Sequence, residues 1–199
     1  MESIQGKRAV QIDAPALLER VAGYQEVLLD IGAGDGRFVR QMAAECPVRF
    51  VIGVDACREN LRANSRIKLP NALFVIASAQ ALPQELNGLA SHVTINFPWG
   101  SLLEGLLSGE GSLVSQLQYI TRPFAGLEIH LNVEALVTAG WTLESGADQI
   151  ERGPISEGWR IKSRSWSDAG VLRSFPTTWA KRLAFGRDPR AIHLSLQRE

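Results

Sequence analysis

Residues 26–39 read EVLLDIGAGDGRFV, and the fold turns on how they are parsed. Val27 to Ile31 form an apolar run interrupted only by Asp30, the pattern of a strand buried on both faces of a parallel sheet. Gly32, Gly34 and Gly36 then allow a tight turn and a close backbone approach that any Cβ would obstruct. Phe38, Val39, Met42 and Ala43 recur at helical spacing over 35–46. Buried strand, glycine turn and helix together open a βαβ unit.

The alternation continues outward from this stretch. Strands are predicted over 49–55, 72–78, 91–97 and 124–132, and helices over 59–65, 84–89, 101–107, 112–120 and 133–140. Beyond Trp141 the pattern loosens into strands near 142–150 and 158–165, a helix near 177–184 and a last strand over 191–197. The expected architecture is α/β and Rossmann-like: a doubly wound, mostly parallel seven-stranded sheet flanked by helices, formed as a single domain over 1–199. Such sheets bind ligands at the carboxyl ends of their strands, where the strand order reverses.

Composition narrows the function classes. A chain of 199 residues, 45% hydrophobic and 21% charged, has the makeup of an ordinary globular protein. No apolar run approaches membrane-spanning length and the first residues lack a signal-peptide pattern, so a cytoplasmic protein without membrane contact is expected. Cys46 and Cys57, the two cysteines, have no metal-ligand spacing and read as small buried apolar residues; no metal is expected. Net charge is zero but unevenly spread. Residues 1–151 carry 11 basic and 17 acidic side chains, and residues 152–199 carry 10 and 4. That asymmetry makes one face positive toward an anionic partner. A second basic island, Arg58, Arg62, Arg66 and Lys68, follows the second of these strands.

The glycine turn has the spacing G-x-G-x-G rather than G-x-G-x-x-G, which argues against a pyrophosphate cradle. Asp30 before it is an acceptor suited to an ammonium group, and Asp55 at the end of the next strand is placed for the two hydroxyls of a ribose. The pair suits a nucleoside with a cationic amino-acid tail, the form of S-adenosylmethionine. After the third strand, "ASAQALP" (77–83) would run under the adenine, with Ala79 and Gln80 reading its edge through the backbone. No acidic residue stands there to take the adenine amino group.

The fourth strand ends in "VTINFPWGSLL" (93–103), which resembles the Asn-Pro-Pro-Tyr-type motif of adenine aminomethyltransferases, with Phe97 for the first Pro and Trp99 for the Tyr. Asn96, Trp99 and Ser101 of this turn are assigned to the cofactor side of the site, and the Trp99 ring is a stacking platform for an extruded base. "SFPTTWAKRLAFGRDPR" (174–190) sets Trp179 ahead of Lys181, Arg182, Arg187 and Arg190. An aromatic within a basic stretch suits a splayed nucleotide and its phosphates.

These motifs, with "LLDIGAGDGRFV", make the chain resemble the Kam-type aminoglycoside-resistance 16S rRNA methyltransferases over nearly its whole length. The resemblance implies a class I, S-adenosylmethionine-dependent enzyme that methylates N1 of adenine-1408 in the decoding site of the 30S subunit, working as a monomer. It implies that the target base is flipped between Trp99 and Trp179. Arg62, Arg66, Lys68, Lys181, Arg182, Arg187 and Arg190 take rRNA-contacting positions, with Arg160, Lys162 and Arg164 as candidates for an Arg that holds the distorted RNA. RNA-binding extensions are placed near 56–70, 100–122 and 150–190. Adenine N1 carries an in-plane lone pair and needs no general base, so His92, His130 and His193, all within strand-like runs, are read as structural. Two other readings stay open. One is a guanine-N7 tRNA methyltransferase, whose fourth-strand motif is similar but whose following basic run is replaced here by "GSLLEGLL". The other is an RNA-binding protein that keeps the scaffold without turnover.

Overall fold

The computed structural model describes residues 1–108, 112–153 and 158–199. It opens with a short hairpin, β1 (Glu2–Gln5) and β2 (Arg8–Gln11), followed by α1 (Ala14–Val21), whose N-terminus is capped by the Asp13 side chain. The alternating body follows: β3 (Glu26–Ile31), α2 (Arg37–Glu45), β4 (Arg49–Asp55), α3 (Arg58–Leu61), β5 (Ala72–Ile76) and β6 (Ala90–Asn96). Then come α4 (Gly100–Ser108), α5 (Ser112–Ile120), β7 (Thr121–Asn132), α6 (Val133–Thr138) and α7 (Leu143–Arg152). The chain closes with β8 (Trp159–Ser167), α8 (Ala169–Ser174), α9 (Thr178–Gly186) and β9 (Ala191–Arg198).

Among the described residues the strands form one nine-stranded sheet in the order β2-β1-β5-β4-β3-β6-β7-β9-β8. Strands β5, β4, β3, β6 and β7 are parallel; β9 runs antiparallel to β7 and to β8. A seven-stranded sheet was expected from eight strand-like stretches; seven of those stretches are strands, and the other two strands are the N-terminal hairpin, which pairs antiparallel with β5. Its strands are four residues each and β2 is exposed throughout, too short and too polar to announce themselves. The stretch 142–150, expected as a strand, is the helix α7. Thr142 and Ser145 close a capping box at its start, and Leu143, Gly146, Ala147 and Ile150 form its buried face. Helices α1 and α8 were not foreseen. Cys57, read as buried, is exposed, and Cys46 is partly so.

The strand order reverses at β3. From it the chain moves to β4 and β5 on one side, then returns to lay β6 against the other. One core layer packs Leu29, Ile31, Ile52, Val93 and Ile95 against α4, α5 and α7; the opposite layer packs Leu28, Val51 and Phe74 against Phe38 and Val39 of α2. Gly53 on β4 permits that second contact. A Cβ there would lie 2.5 Å from Val39 Cγ2 and 3.1 Å from Ala33 Cβ. Gly53→Ala should therefore destabilise the protein by about 1–3 kcal/mol through overpacking. Denaturant unfolding measures this; an unchanged midpoint would show that α2 is free to give way.

Candidate active site

A cavity of about 270 Å³ opens at the carboxyl ends of β3, β4, β5 and β6, at the reversal of strand order. Its walls bring together Gly32, Gly34, Asp55, Ala79, Gln80, Asn96, Trp99, Ser101 and Trp179, all singled out in the sequence, and add Asn60 and Leu102. Gly32 has φ +74, and a Cβ on it would meet Leu102 Cδ2 at 2.6 Å. Asp55 is braced rather than free: Oδ2 accepts from Gly34 N–H at 2.8 Å and Oδ1 from Cys57 N–H at 2.8 Å. A larger groove of about 630 Å³ lies between the N-terminal hairpin and residues 65–74. It contains Arg20 and Lys68 but neither the glycine turn nor a carboxylate, so the smaller cavity is the candidate site.

Asp30 sits one layer behind this wall, 2% exposed. Its Oδ1 accepts from Thr94 Oγ1 at 2.8 Å and from Asn96 Nδ2 at 2.9 Å, both on the neighbouring β6. Burial dominates the balance and pushes its pKa up to about 7; the two hydrogen bonds oppose the shift and the Asp55 charge adds to it. Asn96 Oδ1, on the cavity wall, is buried without a hydrogen-bond partner. A buried carboxylate without a cation and an orphaned carbonyl oxygen together ask for a positively charged donor.

The turn that follows Asn96 is strained. Phe97 has φ +54 and is followed by Pro98, a conformation a bulky side chain adopts only where its surroundings hold it. Its N–H donates to His130 O at 2.8 Å, and its ring packs on Phe175 with centroids 5.4 Å apart and on His130 at 5.8 Å. Phe175 opens the segment that carries the second tryptophan and also stacks on Phe38 at 5.8 Å and meets His130 at 4.6 Å. Burial lowers the His130 pKa to about 3, with His193 stacked against it adding to the shift and Glu128 opposing it, so the ring stays neutral. At the far end of the segment the Thr177 hydroxyl caps α9 by accepting from Ala180 N–H at 3.0 Å. Thr178 Oγ1 donates to Asp35 Oδ2 in the glycine turn at 2.6 Å.

These supports bring Trp99 and Trp179 face to face, ring centroids 5.2 Å apart and planes 27° from parallel. The two rings touch each other. A planar base inserted between them requires roughly 7 Å, two van der Waals contacts, so the pair has to part to admit one.

The expected RNA-contacting cations divide by their partners. Arg164 is held by Asp148 at 2.6 Å and Glu151 at 3.4 Å, tying β8 to α7. Arg187 pairs with Glu134 at 2.6 Å, Arg190 with Asp188 at 2.5 Å, and Arg62 with Glu59 at 3.7 Å. Arg160 and Lys162 both reach the Gln197 amide oxygen. Arg66 packs beside Gly6 of the hairpin and Lys68 lines the groove there. Arg182 and Arg187 lie over the Trp179 ring at 5.4 and 5.3 Å. Sequence reading missed Asp35, Thr178, Asn60 and Phe175. Asp35, Phe175 and Thr178 stand inside the quoted motifs, but their partnerships are between distant residues. Among the described residues no group of three or more His, Cys, Asp or Glu could hold a metal, and no helix is long and apolar enough to cross a membrane.

Strand order, glycine turn and cavity together define a class I methyltransferase fold. The family profile described as NpmA, 16S rRNA (adenine(1408)-N(1))-methyltransferase, matches residues 2–198. A 16S rRNA (adenine(1408)-N(1))-methyltransferase from Escherichia coli is 31% identical over 92% of this chain and 92% of its own. Of solved structures, that of the antibiotic-resistance methyltransferase Kmr is 33% identical with a TM-score of 0.79, covering 100% of this chain and 98% of its own. That of the 16S rRNA methyltransferase KamB is 25% identical with a TM-score of 0.90, covering both chains fully at 100%. The chain belongs to the 16S rRNA (adenine(1408)-N(1))-methyltransferase family.

The Asp30 environment has a measurable consequence in the absence of ligand. An unfolded Asp titrates near 3.9 and the folded one at about 7, so the folded state holds the proton more tightly. Its contribution to stability is full below about pH 4 and is lost as pH rises through about 7, up to roughly 4 kcal/mol. Asp30→Asn keeps an acceptor for Thr94 and Asn96 and removes this loss. The variant's stability advantage over the parent should widen between pH 5 and pH 8 in denaturant titrations. A difference independent of pH would mean that Asp30 bears no uncompensated charge.

Proposed function

We propose that the protein is an S-adenosylmethionine-dependent enzyme that methylates N1 of adenine-1408 of 16S rRNA within the 30S subunit, protecting the decoding site from aminoglycosides. The observation that carries this reading is the contacting Trp99–Trp179 pair on a cavity whose wall residue Asn96 is backed by a buried, cation-free Asp30. The residues fit the cofactor. Asp30 and the orphaned Asn96 Oδ1 suit its ammonium, Asp55 its ribose hydroxyls, and the backbone of Ala79 and Gln80 its adenine, with the glycine turn leaving room for the chain between. When bound, S-adenosylmethionine supplies an electrophilic methyl group to the in-plane lone pair of adenine N1.

What the chain's residues contribute is position. Trp99 and Trp179 take the two faces of the flipped adenine, each worth ~1–3 kcal/mol toward holding it out of the RNA. No base is needed to remove a proton from N1. His130, neutral and buried beneath Phe97 and Phe175, serves the turn's shape instead. Catalysis by alignment alone is worth several kcal/mol. The rRNA contacts fall on 56–70 and 150–190, where exposed ion pairs worth ~0–1 kcal/mol each can be exchanged for phosphates. Of the extension near 100–122, the described part buries its leucines other than the cavity-lining Leu102 and has Arg122 as its one cation; 109–111, and 154–157 of the last extension, lie outside the described residues. The protein acts as a monomer in the cytoplasm, where its substrate is.

Two measurements test this. Primer extension across the decoding site should stop at adenine-1408 after treatment of 30S subunits with the parent protein. Trp99→Ala and Trp179→Ala should each slow that reaction by roughly 5- to 150-fold, while the Phe variants keep a π face and a larger share of activity. Full activity in either Ala variant would remove the clamp from the mechanism. Second, cofactor affinity should rise with pH between 5.5 and 7.5, by at most about tenfold per unit, because the ammonium binds ionised Asp30. Calorimetry should find that dependence abolished in Asp30→Asn; a pH-dependent Asn variant would place the ammonium elsewhere.

A further inference from the structure

Helix α9 presents a second aromatic surface that the base clamp does not use. Phe185 is 74% exposed. With Arg37, Thr178, Lys181, Arg182 and Arg187 it lines a shallow groove of about 510 Å³. A ring so exposed adds almost nothing to the core, so packing does not explain its place. The Arg173 guanidinium of α8 lies 5.7 Å from the ring centroid and covers one face. Arg37 and Arg187 of the groove are paired with Asp35 and Glu134. Lys181, Arg182 and Arg173 have no carboxylate partner among the described residues, and no acidic side chain lines the groove.

The groove is continuous with the clamp. Arg182 and Arg187 line it and also lie over Trp179. Trp179, Arg182 and Phe185 follow at three-residue spacing along α9, a ridge that alternates aromatic, cation and aromatic. An aromatic platform beside unpaired cations is the chemistry of a single-stranded nucleotide site, the ring taking a base and the cations its phosphates. An acidic protein segment would use the cations and leave the ring without a purpose.

We propose that this groove is a second nucleotide subsite, in which an unpaired nucleotide near the target base stacks on Phe185 while Lys181 and Arg182 hold its phosphates. The proposal rests on reading the chain as an rRNA methyltransferase. Its test is equilibrium binding of 30S subunits across a salt series. Phe185→Leu keeps apolar bulk without a π face and should weaken binding roughly 5- to 100-fold with an unchanged salt slope. Phe185→Tyr should bind like the parent, and Lys181→Gln with Arg182→Gln should both weaken binding and flatten the slope. Melting temperatures of the Phe185 variants should match the parent, because the ring is exposed. Undiminished binding by Phe185→Leu, or equal losses in the Leu and Tyr variants, would overturn the subsite. A parent that binds subunits without methylating them overturns the proposed function alone; a parent that binds none overturns both.

Discussion

The Asp30 carboxylate accepts hydrogen bonds from Thr94 and Asn96 across the seam between β3 and β6, the two strands at which the sheet changes direction. Those bonds lock the register of the seam and orient Asn96, from which the strained Phe97 turn departs. They do not neutralise the charge. Removing a carboxylate from water costs several kcal/mol when no cation meets it, and here the protein's nearest answer is to raise the pKa rather than to supply a Lys or Arg. The fold thus keeps an electrostatic vacancy at the back of its crevice. A ligand bearing an ammonium fills it better than any rotamer change within the protein could.

In front of that carboxylate, a layer of rings replaces charges as the organising contact. Phe175 touches Phe38, Phe97 and His130, and so joins α2, the β6 turn and β7 to the segment that carries Trp179. Both tryptophans follow a Phe-Pro dipeptide, and the two phenylalanines of those dipeptides pack on each other. The strain of Phe97 persists because two rings and a backbone hydrogen bond over-determine it. The result is a pair of half-buried indoles stacked on each other, with Arg182 and Arg187 over Trp179.

The parallel body was legible because its strands are buried on both sides: EVLLDI, RFVIGV and ALFVI are apolar runs, broken only by Glu26, Asp30 and Arg49, that no surface strand would carry. The cavity followed from position, since glycine turn, Asp55 and Asn96 all stand at strand ends. What stayed hidden was hidden for physical reasons. Helix α7 buries Gly146 and Ala147, small residues that barely register in an apolar periodicity, while its capping box at Thr142 and Ser145 was the signal that went unread. Misplacing α7 also hid the partners of Arg164, because Asp148 and Glu151 face it only from a helix. The Asp35–Thr178 bond joins residues 143 positions apart, and nothing local to either one announces it.

That bond also bears on the order in which the site assembles. Asp35 belongs to the turn whose glycines Gly32 and Gly34 line the cavity, and Thr178 is the neighbour of Trp179. Whatever stills the turn therefore stills the start of α9, and the ordering free energy is shared between the two events instead of being met twice. On the proposed function, thermodynamic linkage would make the effect reciprocal: a cofactor that settled the turn would raise affinity for RNA held by α9, and that RNA would raise affinity for cofactor by the same factor. Under that function, one hydroxyl would then tie the cofactor's turn to the helix that carries Trp179.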